Sequence, residues 1–404
     1  MPQPNIANSR VPPTLIGLAL LICACSGPAN PPSLKISLSS PVGEQNAQYN
    51  VTGFDLYTDA GRLHAVFTAA GAQPKQPRIG YLHSEDGGAH WSPPQWLDTQ
   101  FTQPVESKIG NDIQIAAAGD SLLIVWQTTG EIPGMGPLTA IHSSDGGQTW
   151  TQGTNPVGAD GDQSHPDLLA DAQGRFHLVW LDDREENGYQ GLRYARTGDG
   201  LAWQAAQTLD DATCSCCWNR LAPSADAAIN VLYRDNTPRD MALAQSTDGG
   251  ERWRKLSSVG NFGWRFDGCP HNGGGLSASG PTLHAAVWTG AEQKAGLYYL
   301  QSADNGLTWS APQAIAAGSG AFHADLAARE GGQITLAWDA PGAAASQVSI
   351  SRSSDNGVTW SAPQILSGDN AANPRLAAVN NGWLALWTEQ TAAGVRVWRS
   401  AQIH

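Results

Sequence analysis

The sequence predicts an all-β fold, a single domain built from seven four-stranded units. Three observations point there. Forty-five Gly, 25 Pro and 16 Trp among 404 residues, with only 15% charged, describe a turn-rich chain with a large core, neither helical nor disordered. An eight-residue pattern recurs along the chain. Runs rich in β-branched and aromatic residues recur with it, at nearly constant spacing.

The eight-residue pattern reads "SEDGGAHW" (84–91), "SSDGGQTW" (143–150), "STDGGERW" (246–253), "SADNGLTW" (302–309) and "SSDNGVTW" (353–360), with a shortened "TGDGLAW" at 197–203. Its consensus, S-x-D-x-G-x-x-W, is a turn: Asp accepts backbone N–H bonds, Gly supplies positive φ, and Trp folds back over apolar surface. The second pattern is strand-like: "RLHAVF", "SLLIVW", "RFHLVW", "AINVLY", "LHAAVW", "QITLAW" and "GWLALW", ending at 67, 126, 180, 233, 288, 338 and 387. The steps of 59, 54, 53, 55, 50 and 49 each hold about four short strands with their turns. The seventh unit runs out after three strands and has no box. The alternating "SLKISLS" (33–39) is left to supply its outer strand, which would close the ring and remove an exposed edge.

The S-x-D-x-G-x-x-W motif resembles the Asp-box (BNR) repeat of the sialidase superfamily and other β-propellers. That resemblance implies that Asp86, Asp145, Asp199, Asp248, Asp304 and Asp355 are structural, placed between outer strands and away from the active face. Seven blades follow from the count of units; the six blades of the sialidase enzymes are the alternative.

The N-terminus speaks to location. An apolar run from Leu15 to Ala24 follows one Arg and no acid; it is too short to span a bilayer and suits an export signal. It ends in "ICAC" and Ser26, which resembles a bacterial lipoprotein box. The resemblance implies a signal peptide at 1–24, a lipidated Cys25 with a tether to 33, and the propeller at 34–404. Ser26 implies outer-membrane sorting, facing the periplasm, and three acyl chains make a stable anchor. An ordinary cleaved signal peptide is the alternative. A formal charge of −13 argues against nucleic acid as a partner. The expected protein is a monomer.

In a propeller, the segments leading into each inner strand crowd one face. Here they are "KIGNDIQI", "QSHPDLLA", "CCWNRLAPS", "GCPHNGGG", "AFHADLAA" and "NPRLAAV". This places Asn111, His165 and His323 at equivalent positions, with Cys214, Cys216, Cys217, Cys269 and His271 on the same rim. Trp218 and Trp264 flank the cysteines, and Arg375 joins them on the last blade. The exits of second strands add Asp182, Asp183, Arg184, Arg234, Asp235, Arg239 and Asp240 over the third and fourth blades. A concave polar face of this kind is the default binding site, for a glycan or a protein.

The sialidase resemblance carries a catalytic expectation: an arginine triad for the substrate carboxylate, a Tyr nucleophile paired with Glu, and an acid Asp. The residues do not follow it. The family's N-terminal F-R-I-P-like motif is absent, "PRIG" (77–80) runs straight into a box, and no Tyr follows Tyr299. Arginines at 184, 234, 239 and 375 give no triad by spacing. Another glycosidase chemistry through Asp182, Asp183 and Asp235 is a lesser alternative.

Four cysteines in an exported chain read as two disulfides. Pairing Cys269 with one of the C-x-C-C leaves a C-x-C or C-C bridge, both awkward. The other reading is a soft S/N ligand set with His271, suited to copper(I) or zinc, with His165 and His323 near its entrance. His64 and His284 lie inside strands and read as packing. The expected function is therefore a binding or assembly module using this rim, stapled or metal-loaded. A sialidase-type exo-glycosidase acting on periplasmic or surface glycans is the alternative.

Overall fold

Seven antiparallel four-stranded sheets follow one another along the chain, and no helix occurs among the described residues. The computed structural model describes Pro2 and residues 37–39, 50–71, 77–97, 104–131, 134–156, 161–182, 190–224, 226–318 and 320–404. Cys25, Asp183 and Arg184 lie outside them. A compact unit spans Leu34–His404. The inner strands are Asn50–Asp59, Gln114–Ala118, Gln163–Ala170, Arg220–Pro223, Gly274–Ser279, Phe322–Arg329 and Ala371–Val379. They define blades 1 to 7. Each second strand is one of the sequence-predicted runs, and "PRIG" does open a third strand, Arg78–Ser84.

Closure is as the sequence implied. Ser37–Ser39 pairs with Arg396–Ile403, Leu38 opposite Ala401, so blade 7 takes its outer strand from the start of the chain. The count is seven, not six.

The boxes join third and outer strands of blades 1 to 6. In the second blade, Ser143 Oγ donates to Asp145 Oδ1 (2.8 Å) and accepts from Gly147 N (2.9 Å), while Thr149 N donates to the same carboxylate (2.8 Å). Asp86, Asp145 and Asp248 are held down at about 2, chiefly by hydrogen bonds from His90, Thr149 and Arg252 four residues on. The last glycine of a box also docks on the preceding blade. A Cβ on Gly147, Gly250 or Gly357 would run into the ring of Tyr81, Tyr194 or Tyr299. Those tyrosines are fixed in turn by second-strand histidines: His64 Nδ1 lies 2.9 Å from Tyr81 Oη, and His177 and His284 lie 2.7 Å from Tyr194 and Tyr299. His64 and His284 are therefore interior packing residues, their pKa values driven down by burial to about 3 and about 4.

This docking is testable at one atom. Gly250 has φ +87°, and its Cβ would overlap the Tyr194 hydroxyl. Gly250→Ala should cost about 3 kcal/mol, the sum of a left-handed alanine and an overpacked contact. Gly280→Ala, at φ +57° with open space around its Cβ, should cost only the backbone share of about 1 kcal/mol. Denaturant midpoints of the two variants should differ accordingly; equal losses would mean the contact is soft.

Candidate functional site

The site begins with a shortage of acceptors at the ring's axis. Inner-strand amides there are buried, and each needs a partner. Side chains of neighbouring blades provide them. Asp55 Oδ2 accepts from Ile115 N (3.0 Å), Asp112 Oδ1 from Phe54 N (3.2 Å) and Asp325 Oδ2 from Leu376 N (2.8 Å); Asp167 accepts from Leu221 N. Arg220 sits between Asp325 (3.2 Å) and Asp167 (3.6 Å), and Arg375 pairs with Asp112 (3.3 Å). Burial pushes Asp55 up to about 7 and Asp167 to about 6, against the pull of these arginines and of the amides. This lattice divides the channel. On the rim side the cavity bounded by His165, Trp218, Arg220 and Arg375 holds about 10 Å³, room for about one water. On the far side a cavity of about 460 Å³ opens between small residues such as Ala222, Ser277, Ala327 and Ala378.

Above the lattice, three histidines take left-handed backbone conformations: His165 (φ +52°), His271 (+48°) and His323 (+50°). At His165 and His323 the ladder to the second strand is interrupted by a bulge, which re-aims a side chain. His165 N donates to Asn111 Oδ1 (2.7 Å), His165 O accepts from Asn219 Nδ2 (3.0 Å), and His323 N donates to Asn272 Oδ1 (3.3 Å). Equivalence by hydrogen bonding thus runs through Asn111, His165, Asn219, Asn272 and His323. His271 stands one position off this series. His165 is half-buried, and desolvation takes its pKa down to about 4; Cys214 and His271 are close enough to act on it electrostatically. His323 Nδ1 lies 2.7 Å from Asp339, and its ring packs on Trp218 at 5.3 Å.

The cysteines come together from consecutive blade connections. Thr213 ends the outer strand of blade 3, and Cys214 N donates to Arg234 O (2.9 Å), carrying the chain along the exit of blade 4. Cys214, Cys216 and Cys217 form a buried cluster, with Sγ of Cys214 3.0 Å from Cys217 and 3.8 Å from Cys216. Cys269 is exposed, its Sγ 3.6 Å from Ser215 Oγ. All four are free in the structure. The closest pair, Cys214 and Cys217, has the spacing C-x-x-C, which is neither the C-x-C nor the C-C expected from the sequence. Hydrogen bonds from Cys216 and Cys217 push the Cys214 thiol down, while hydrogen bonding to Cys214 pushes Cys216 up and burial pushes Cys217 up.

Second-strand exits prove to be scaffold at blade 4. Arg234 is buried and donates to three carbonyls, those of Asn272 (3.1 Å), Arg239 (2.7 Å) and Trp288 (2.9 Å), beneath Trp264 at 5.2 Å. Arg239 Nε donates to Phe266 O (2.6 Å), and Asp240 accepts from Gly263 N (2.7 Å) and Trp264 N (3.2 Å). Together they hold the 260–272 segment that presents Cys269 and His271. Trp264 is buried between Trp288 and Phe266. Asp182 is buried under the Trp180 indole N–H (3.4 Å), and Asp235 is paired with Lys255 (2.5 Å). The axial Asp55, Asp112, Asp167, Arg220 and Asp325 escaped the sequence reading. The repeated H-x-D of "SHPDLL" and "FHADLA" is the signal that marks two of them.

Six Asp boxes on a closed ring of blades define an Asp-box β-propeller. The chain belongs to the BNR repeat-like domain family, whose model matches residues 54–259. No curated protein matches the sequence. Solved structures sharing the fold include an ulvan lyase of a new polysaccharide lyase family (12% identity, TM-score 0.57, covering 87% of this chain and 93% of that one). A protein of unknown function from Dyadobacter fermentans follows (11%, 0.54, 92% and 100%), with YCF48 bound to D1 peptide (15%, 0.53, 91% and 94%). At these identities the likeness is one of fold.

The axial lattice makes a pH prediction. Asp55 has a folded-state pKa near 7 against an unfolded value near 4, so between those values the folded chain holds a proton that the unfolded chain has lost. Its contribution to stability therefore falls as pH rises from about 4 to about 7. Asp55→Asn removes that dependence and keeps an acceptor for Ile115 N. The variant's urea midpoint should gain on the wild type between pH 4 and pH 7, and a constant gap would mean that Asp55 is ionised throughout.

Proposed function

We propose that this chain is an envelope-anchored binding module, held by lipid at Cys25, whose rim takes up a soft metal ion, copper(I) or zinc. The observation that carries the reading is the donor set itself. Three buried sulfurs, an exposed sulfur and an imidazole meet on one face, in groups whose ligand atoms lie within 4.8 Å of one another. Thiolate and imidazole together select copper(I) and zinc over hard cations.

The surroundings speak against a sialidase-type hydrolase. Among the described residues the axial cavity on the rim side holds about 10 Å³, against the roughly 300 Å³ or more of a typical small-molecule cleft. Arg234 donates to three backbone carbonyls and Arg239 Nε to one, and Arg220 and Arg375 are paired with carboxylates. A substrate carboxylate would have to displace the partners of Arg234, Arg220 and Arg375.

The test is metal analysis with intact mass on the full chain in detergent, beside an assay of sialoside hydrolysis. One equivalent of copper or zinc should stay with the reduced protein through dialysis, Cys217→Ser should shed it during dialysis, and no sialic acid should be released. Absence of metal with a mass four hydrogens below the reduced chain would make the cysteines two disulfide staples and overturn the metal reading. Turnover of the sialoside would overturn the binding reading in favour of hydrolysis.

A further inference from the structure

We infer that the cluster is a two-station copper(I) site, loaded through its exposed end and holding the ion at its buried end. The inference rests on the soft-metal reading above and goes past it to a path and a direction. The five donors form two triads, not one set of four: Cys214, Cys216 and Cys217, and then Cys216, Cys269 and His271. Cys216 belongs to both. The first triad is buried throughout; in the second, Cys269 and His271 are exposed.

This division fits copper(I) better than zinc. A structural zinc site closes on four ligands in a tetrahedron, whereas soft copper(I) is content with two or three thiolates. The inner triad gathers three sulfurs in one turn, with Sγ separations of 3.0 and 3.8 Å from Cys214. The outer triad stands where a carrier can reach it. Its backbone is set by Arg234, which binds the carbonyl of Asn272, and by Arg239, which binds that of Phe266, on either side of Cys269 and His271.

A shared ligand lets the ion cross without being released. Copper(I) first binds Cys216 and Cys269 as thiolates and His271 as neutral imidazole. Cys216 then keeps its bond while Cys269 and His271 leave and Cys214 and Cys217 replace them. Each thiol that binds gives its proton to solvent, and Cys269 takes one back on leaving. No electron moves, since copper enters and stays as copper(I). The partner this arrangement suits is a copper(I) carrier presenting the ion on exchangeable sulfur or nitrogen ligands.

The experiment uses the full chain, reduced and anaerobic, mixed with copper(I) bicinchoninate. Loss of the probe's colour follows loading; capture by bathocuproine then follows release. The key variant is Cys269→Ser with His271→Asn, since asparagine tolerates the left-handed backbone at 271. It should still bind one copper(I) with wild-type retention, but load at least tenfold more slowly. Cys217→Ser should load at the wild-type rate and release at least tenfold faster. Circular dichroism confirms folding of each.

Wild-type loading by the double variant, or loss of its capacity altogether, would overturn the two-station inference while leaving a metal site in place. A wild-type chain that takes no copper(I) from the probe would overturn the inference and, if zinc is also refused, the soft-metal reading beneath it.

Discussion

Buried amides at the centre of a ring must find acceptors, and much else in this molecule follows from how they do. Seven inner strands converge on one axis, where water is scarce and each blade's first amides face the neighbouring blade. A side chain from the next strand must therefore reach across. Asp55, Asp112, Asp167 and Asp325 do this at one level, and Asn111 and Asn272 at the level above. Because the acceptors at the lower level are carboxylates, charge accumulates in a place that desolvates it. Arg220 and Arg375 answer that charge, and the rim-side end of the channel is nearly filled as a result. The same crowding interrupts the ladders at His165 and His323, which is how their side chains come to stand at the rim.

Much of this architecture was legible in the sequence because it repeats. Seven aromatic-ended runs gave the blade count, and one unpaired alternating segment, Ser33–Ser39, gave the closing strand. The Asp boxes were legible as turns because Ser, Asp and Gly act on their own local backbone. The axial lattice was not. Asp55 and Ile115 are 60 residues apart, and no local pattern marks a carboxylate whose partner is an amide on another blade. Arg234 and Arg239 hide their partners for the same reason. In sequence they look like charges on a loop, whereas in the fold they stand beneath the chain of the next connection and bind its carbonyls.

At Arg234 the guanidinium is tied to the main chain. A guanidinium that recognises a ligand keeps donors free until the ligand arrives. Arg234 has its Nε and both terminal nitrogens bonded to main-chain oxygens from three segments. The same guanidinium lies close enough to pull the pKa values of the Cys214 and Cys217 thiols downward. One buried side chain thus fixes the loop that carries Cys269 and His271 and stands beside the buried sulfurs. An ulvan lyase and a peptide-bound YCF48 share the fold, so the fold itself leaves this chemistry undecided.

The spacing of the cysteines explains why they can meet at all. Cys216 and Cys269 are 269 − 216 = 53 residues apart, the length of one blade step here. Residues one step apart occupy corresponding places on adjacent blades, and both of these lie on connections from an outer strand to the next inner strand. Those connections share a face, so a pair one repeat apart is brought side by side without any dedicated loop. The short C-x-C-C spacing does the opposite work, since it folds three sulfurs into one turn that is buried as blade 4 begins. A cluster that is local on one blade and extended by one repeat onto the next must have an inner and an outer part. The ring dictates which part faces the solvent.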